Sequence, residues 1–168
     1  MPPQPPVKTG VFTDKATGLN AVRFSPENYP EPARVRELVH NSATAKDVIH
    51  EGIAAARLET VLGGRLERLP VLYDESGKPY TNADFLFNSG NFKGKKVDFM
   101  LTDFNKEKIN KFFKKNFPKM TERIIEHFEI ADIVPIDYRG LDPANQNMLN
   151  SWLSGLSQND KDKIIIIR

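Results

Sequence analysis

Residues 81–103, TNADFLFNSGNFKGKKVDFMLTD, decide how the rest of the chain is read. The run predicts two strands, over 83–87 and 96–101, joined by a loop rich in Asn, Gly and Ser. Each strand carries one acid among apolar residues, Asp84 and Asp98. A carboxylate suits a strand poorly and is expensive if buried alone. Two of them on adjacent strands, joined by a Glu from a preceding helix, form an oxygen-donor set for a divalent metal that activates water against a phosphodiester. The plainer alternative is an antiparallel hairpin with both Asp side chains in solvent.

Upstream of this pair lies the clearest helical pattern in the chain, over 43–62. Ser42 or Thr44 can cap it, with Asp47 three residues after Thr44. Val48, Ile49, Ile53, Ala56 and Leu58 give it an apolar stripe, and Gly63 and Gly64 stop it. The small run Ala54-Ala55-Ala56 suits close packing on a sheet. Glu51 and Glu59 both stand on this helix. Glu51, between Ile49 and Ile53, is the candidate for the edge of the buried face, although a solvated Glu is the ordinary outcome on a helix. Residues 34–40 predict a shorter helix, 65–72 a strand, and 73–82 (YDESGKPYTN) turn chemistry. Residues 1–32 read as a Pro-rich linker or N-terminal extension, leaving 33–168 as the domain. A short element is expected within 10–24, where Val11, Phe12, Val22 and Phe24 would make contacts.

Downstream, the charge changes. Ten of the chain's 24 basic residues fall within 93–123, against four acids. With Ile109, Phe112 and Phe113 inward, this run predicts a helix whose lysines face out. A solvated face is the usual meaning of such a run. Beside an acidic strand pair, it is also what an enzyme working on a phosphate backbone needs. Pro118 opens a second helix over 119–130. Residues 132–138 (DIVPIDY) predict a strand whose Pro135 suggests an edge or a bulge. Asp142 caps a helix over 142–156, with Pro143 at its first position. The closing KIIIIR, 163–168, reads as a strand buried on both faces, hence parallel or central in its sheet. The class is α/β, about five strands with helices on both sides.

Composition narrows the classes. The chain has 168 residues, 39% hydrophobic and 27% charged, as in a single soluble domain. It has no cysteine, which excludes disulfides and thiolate metal sites. No apolar run approaches the ~20 residues that span a bilayer, and the start, MPPQPPVKTG, lacks the apolar core of a signal peptide. A net charge of +2 makes the basic stretch, not the total, the argument for nucleic acid.

HEGIAAARLETVLGGRLERL (50–69), then NADF and KKVDFM, and the tail from RIIEHFEIADIVPIDYRG to the end resemble the C-terminal toxin domains of contact-dependent growth inhibition (CdiA-type) proteins. The resemblance covers roughly 45–168 and is to the tRNase group with a restriction-endonuclease-like, PD-(D/E)xK fold: a mixed sheet flanked by helices. It implies a metal-dependent ribonuclease acting on tRNA. It also implies a toxin domain that is monomeric, fused to a large delivery protein, secreted or displayed on the cell surface, active in the target cell's cytoplasm and neutralised by a cognate immunity protein. The helix Glu falls on Glu51 and the strand acids on Asp84 and Asp98, the expected ligands of Mg²⁺, with Mn²⁺ or Zn²⁺ as substitutes. The pattern's Lys, two positions after the second acid, is replaced by Met100. A lysine from further along would then serve, with Lys111, Lys114, Lys115 and Lys119 as candidates. Lys115 and Lys119 are carried forward as catalytic candidates, and Lys95, Lys96, Lys111 and Lys114 as nucleic-acid contacts.

Three other readings fit the same residues. RNA can be cut without metal when its own 2′-OH attacks, which gives His127, the one histidine of the C-terminal half, an acid–base role. The lysine face alone would serve a non-catalytic nucleic-acid-binding module. The DIVPIDYRG strand would serve an interaction domain of a larger secreted protein.

Overall fold

The four isoleucines Ile164–Ile167 form the central strand of the main sheet. Ile164 and Ile166 pack into one hydrophobic core while Ile165 and Ile167 enter the other, so the period-two geometry of a strand serves both faces at once. In this computed structural model, residues 10–39, 45–70, 72–80, 83–103 and 105–168 are described, those at 45–48, 79 and 80 by backbone alone. The elements run β1 (Phe12–Thr13), β2 (Asn20–Val22), a 3-10 turn (Pro26–Asn28), α1 (Pro32–Leu38), α2 (Ala45–Leu62), β3 (Leu66–Arg68), β4 (Leu72–Tyr73), β5 (Pro79–Tyr80), β6 (Phe85–Phe87), β7 (Lys96–Val97), α3 (Lys106–Lys115), α4 (Phe117–Ile130), β8 (Val134–Asp137), α5 (Pro143–Ser154), α6 (Gln158–Lys161) and β9 (Ile164–Ile167).

The main sheet has the order β1-β2-β9-β8, with β9 parallel to both neighbours. A second sheet, β3-β6-β7, is antiparallel. The two are joined where the chain after β7 runs beside β8, through the bridges Val97 to Ile133 and Met100 to Ile136. Here Ile133 N–H donates to the Lys96 carbonyl (3.0 Å) and Asp137 N–H to the Met100 carbonyl (2.9 Å). Pro135 lies between those two donors and has no N–H to give, so the ladder is interrupted beside Asp98. Pro135 therefore stands in a strand with neighbours on both sides, not at the free edge or bulge expected of it. α3, α4 and α5 pack against one core, α1 and α2 against the other.

Several differences from the sequence reading have local causes. Residues 10–32 are part of the fold: β2 pairs with β9, and Leu19, Ala21, Val22 and Phe24 are buried. The sheet therefore extends across the boundary expected at 33, and residues 1–9 lie outside the described set. The turn region 73–82 contains a two-stranded hairpin, β4 with β5, closed by Asp74, whose carboxylate accepts from the backbone N–H groups of Ser76 and Lys78. The expected caps Ser42 and Thr44 lie outside the described residues. Gly63 and Gly64 do end α2, with φ of 80° and 94° that a side chain would resist. Asp142 caps α5 through the Asn145 N–H at 2.8 Å.

Of the two glutamates on α2, Glu59 is structural. Its carboxylate takes Arg34 Nε at 2.7 Å and Nη2 at 2.8 Å, and the Leu66 N–H at 2.8 Å, tying α1 and β3 to α2. Glu59→Ala would leave the Leu66 N–H without its acceptor and the Arg34 guanidinium with only Glu37 and the Leu66 carbonyl. The expected loss is about 3 kcal/mol in urea denaturation. A loss near zero would mean that apolar packing alone holds α1.

Candidate active site

Four elements bring Glu51, Asp84, Asp98 and His127 together. Glu51 is on α2, Asp84 immediately precedes β6, Asp98 immediately follows β7, and His127 is in the last turn of α4. The aromatic residues next to the acids form the floor. Phe85 and Phe99 meet edge to face with centroids 5.6 Å apart. The solvent-facing hairpin is thereby excluded: Asp98 is buried, with 7% of its side chain exposed.

An arginine the sequence reading did not select organises the cluster. Arg68 of β3 bonds Glu51 at 3.0 Å and lies 3.6 Å from Asp84, with its guanidinium carbon 4.7 Å from the centre of the Phe85 ring. Its side chain is 9% exposed, and its buried Nε has no hydrogen-bond partner among the described residues. Within RLERLPVL nothing marks it, because an arginine at that point of a short strand reads as solvent-facing.

Asp84 and Asp98 lie within hydrogen-bonding reach of one another. Burial first, then the bond to Asp98 and its charge, push the Asp84 carboxyl up to about 8, against the pull of Arg68 and His127. Asp98 is also raised, by burial and then by the charge of Glu51, while its bond with Asp84 pulls the other way. Both carboxyls are thus raised, and the pair favours sharing a proton. Glu51 is raised by burial and by Asp84's charge, with Arg68 opposing. The cause throughout is several acids in an apolar-floored recess with one guanidinium between them.

His127 completes the group. Its Nδ1 lies 2.6 Å from the Arg123 carbonyl, which can only accept, so Nδ1 carries a proton. That directs Nε2 at Asp98 Oδ2, 3.2 Å away. Glu51 and His127 also line a cleft of about 470 Å³ with Thr102, Lys108 and Arg123. His50 contributes to the same wall, its Nδ1 2.8 Å from the Thr102 hydroxyl.

The lysines are placed differently from the expectation. Lys111, Lys114 and Lys115 lie on the exposed face of α3, Lys119 is exposed at the start of α4, and Lys95 and Lys96 are exposed beside β7. None of the six lines the cleft. Among the described residues the cation paired with the acids is Arg68 of β3, while Lys115 and Lys119 stand away from them on exposed helix faces. The expected trio Glu51, Asp84 and Asp98 is not disposed as a three-ligand metal cage. No group of three or more acids or histidines among the described residues has that arrangement, and Glu51 is turned to Arg68.

Fold and cluster together define a mixed α/β domain with a buried carboxylate cluster whose outer members, Glu51 and His127, line a cleft. Residues 49–167 match the family model described as the CdiA C-terminal tRNase domain. The chain belongs to that family. A tRNA nuclease CdiA of Burkholderia pseudomallei is 40% identical over 121 residues, which is 70% of this chain and 9% of that protein's length. A CdiA-CT toxin from Burkholderia pseudomallei, solved in complex with its cognate CdiI immunity protein, is 39% identical. It has a TM-score of 0.61, over 71% of this chain and 98% of that one. No helix among the described residues is long and apolar enough to cross a membrane.

Proposed function

We propose that the chain is the toxic endonuclease domain of a contact-dependent growth inhibition protein. It cleaves the phosphodiester backbone of tRNA in the cytoplasm of the cell that receives it, and a cognate immunity protein holds it silent. The observation that carries the chemistry is the Asp84–Asp98 pair, two carboxyls close enough to share a proton beside a cleft. Family membership supplies the substrate class. Acids drawn from a helix, from the start of one hairpin strand and from the end of the next support a PD-(D/E)xK-like arrangement in a mixed sheet. The lysines of α3 supply a phosphate-attracting face outside the cleft.

The pair suits a hard divalent cation, because Mg²⁺ is commonly held by one or two carboxylates with water and substrate phosphate completing its shell. A proton now resides where two negative charges would otherwise repel, and a cation would relieve the same repulsion. Asp84 and Asp98 would hold it. When bound, such an ion supplies an activated water and polarises a phosphoryl oxygen. Arg68 keeps Glu51 and Asp84 in place. His127 Nε2, at the cleft wall, holds or delivers a proton to a departing oxygen.

A specific contact favours a second chemistry. With His127 3.2 Å from Asp98, the pair has the proximity for metal-free acid–base work. The 2′-OH of RNA would attack phosphorus and lose its proton to one group, while the 5′-oxygen would leave with a proton from the other.

Inhibitor-free protein incubated with total tRNA, ribosomal RNA and plasmid DNA, with Mg²⁺, Mn²⁺, Zn²⁺ or EDTA, separates these. Discrete tRNA fragments that disappear with EDTA are the expected result. Cleavage that survives EDTA and leaves 2′,3′-cyclic phosphate ends assigns the step to His127 and Asp98. Folded protein that cuts none of the three overturns the enzyme reading and leaves a binding module.

A further inference from the structure

Beside the cleft lies a second cavity of about 270 Å³ that shares His50, Thr102 and Asp103 with it as walls. Its other walls include Tyr29, Arg57 and Arg139. The Arg57 and Arg139 guanidinium carbons lie 5.0 Å and 4.8 Å from the centre of the Phe24 ring. Arg57 is 9% exposed, and the bonds that fix it go to neutral acceptors, Asn28 Oδ1 at 3.0 Å and the Ser25 carbonyl at 2.7 Å. Asp137, the nearby acid, is taken by Nε and Nη2 of Arg139 at 3.0 and 2.8 Å. Asp103 and Lys106, also on the wall, offset one another in charge. Among the described residues no carboxylate hydrogen-bonds Arg57, and a second guanidinium lines the same cavity, a charge arrangement that an entering anion relieves. Burial first and the Arg139 charge second disfavour charged Arg57, with Tyr29 and Asp137 opposing. Tyr29, 65% exposed, presents its ring 5.4 Å from the Arg57 guanidinium carbon. Every base has a π-face to stack on such a ring, and the next phosphate is the anion.

We propose that this cavity is a nucleotide subsite of the RNA strand next to the scissile phosphate, with an unpaired base on Tyr29 and its phosphate at Arg57 and Arg139. The assignment rests on the ribonuclease reading above and deepens it. It also locates specificity. Arg57 and Arg139 fall within the family match, which begins at residue 49, whereas Tyr29, Asn28 and Phe24 precede it. The strand-and-turn segment before the shared region therefore adds the stacking wall to a pair of arginines inside that region.

The test is binding of total tRNA and of a 5′-phosphorylated unpaired RNA oligonucleotide to a cleavage-silent Asp98→Asn protein, alone and combined with Tyr29→Ala, Tyr29→Phe or Arg139→Lys. Thermal melts check each fold. Tyr29→Ala is expected to weaken binding about tenfold, the scale of one stacked base. Tyr29→Phe should restore it, and Arg139→Lys, which keeps a cation near Asp137 but loses the planar fork, should weaken it while leaving the salt dependence unchanged. Unchanged affinity in Tyr29→Ala overturns the subsite. So does a Tyr29→Ala protein that keeps its RNA but loses the purified immunity protein, which would assign the cavity to the inhibitor. Wild-type cleavage, followed in parallel, reports on the catalytic reading alone.

Discussion

Asp98→Asn is expected to lower tRNA cleavage by about 10²–10⁴-fold, the scale of a lost acid–base group, while leaving the fold as stable as before or more so. Asp98 is the hub of the cluster. It accepts from Asp84, faces His127 Nε2 at 3.2 Å and feels the charge of Glu51. The amide keeps the shape and one acceptor oxygen but removes a negative charge from a recess that holds too many. Asp84 then loses its like-charged neighbour, and its carboxyl falls back from about 8 toward the ordinary range, because only burial still raises it. A time course on tRNA with melts at neutral and mildly alkaline pH reads both effects. An Asn variant that is stable and fully active would remove Asp98 from the chemistry and leave the pair as a structural burden.

The parts of this site visible in the sequence are those that carry their own local signal. Asp84 and Asp98 stand out because a strand rarely carries an acid between Phe and Ala or Val and Phe. Ile49 and Ile53 place Glu51 at the edge of the buried face, yet Ile49 is itself 43% exposed and the face is made by Ala54, Ala55, Ala56, Leu58 and Leu62. KIIIIR reveals its own burial, since no alternation survives in it. Arg68 had no such signal. Its meaning depends on β3 pairing with β6, Arg68 opposite Phe85, which turns it toward an acid 16 positions later in the chain. The lysines show the same limit: a charge run is a local pattern, whereas meeting a carboxylate is a tertiary fact. The N-terminal segment was obscured by its prolines. β2 is only three residues long, and it gains its place from β9, with Asn20 beside Ile165. A contact that distant in sequence leaves no periodicity to read.

Arg68→Met should cost the fold about 3 kcal/mol near neutral pH and little in acid, with a sign fixed by the acids it leaves behind. Methionine keeps an apolar chain over the Phe85 ring and removes the charge. Glu51, Asp84 and Asp98 then share the recess with no guanidinium. In the wild type these acids already bind protons more tightly than in the unfolded chain, Asp84 at about 8 against an ordinary 3.8, Glu51 and Asp98 also upward. A carboxyl raised by folding contributes stability that is fully present below its unfolded value and is lost as pH rises through the folded one. Without bound cation, wild-type stability therefore declines between about pH 4 and pH 8, by about 1.4 kcal/mol per unit of upward shift that is traversed. Removing Arg68 raises the acids further and steepens that decline, whereas below pH 4 they are protonated with or without it and the two proteins converge. Urea denaturation of both proteins across this range checks the slope, and a deficit that stays constant with pH would attribute it to packing over Phe85 instead of charge. Added Mg²⁺ gives the complementary reading. An ion at Asp84 and Asp98 must displace their shared proton, so its stabilising effect should grow as pH rises and be larger in Arg68→Met, where the acids have no other cation.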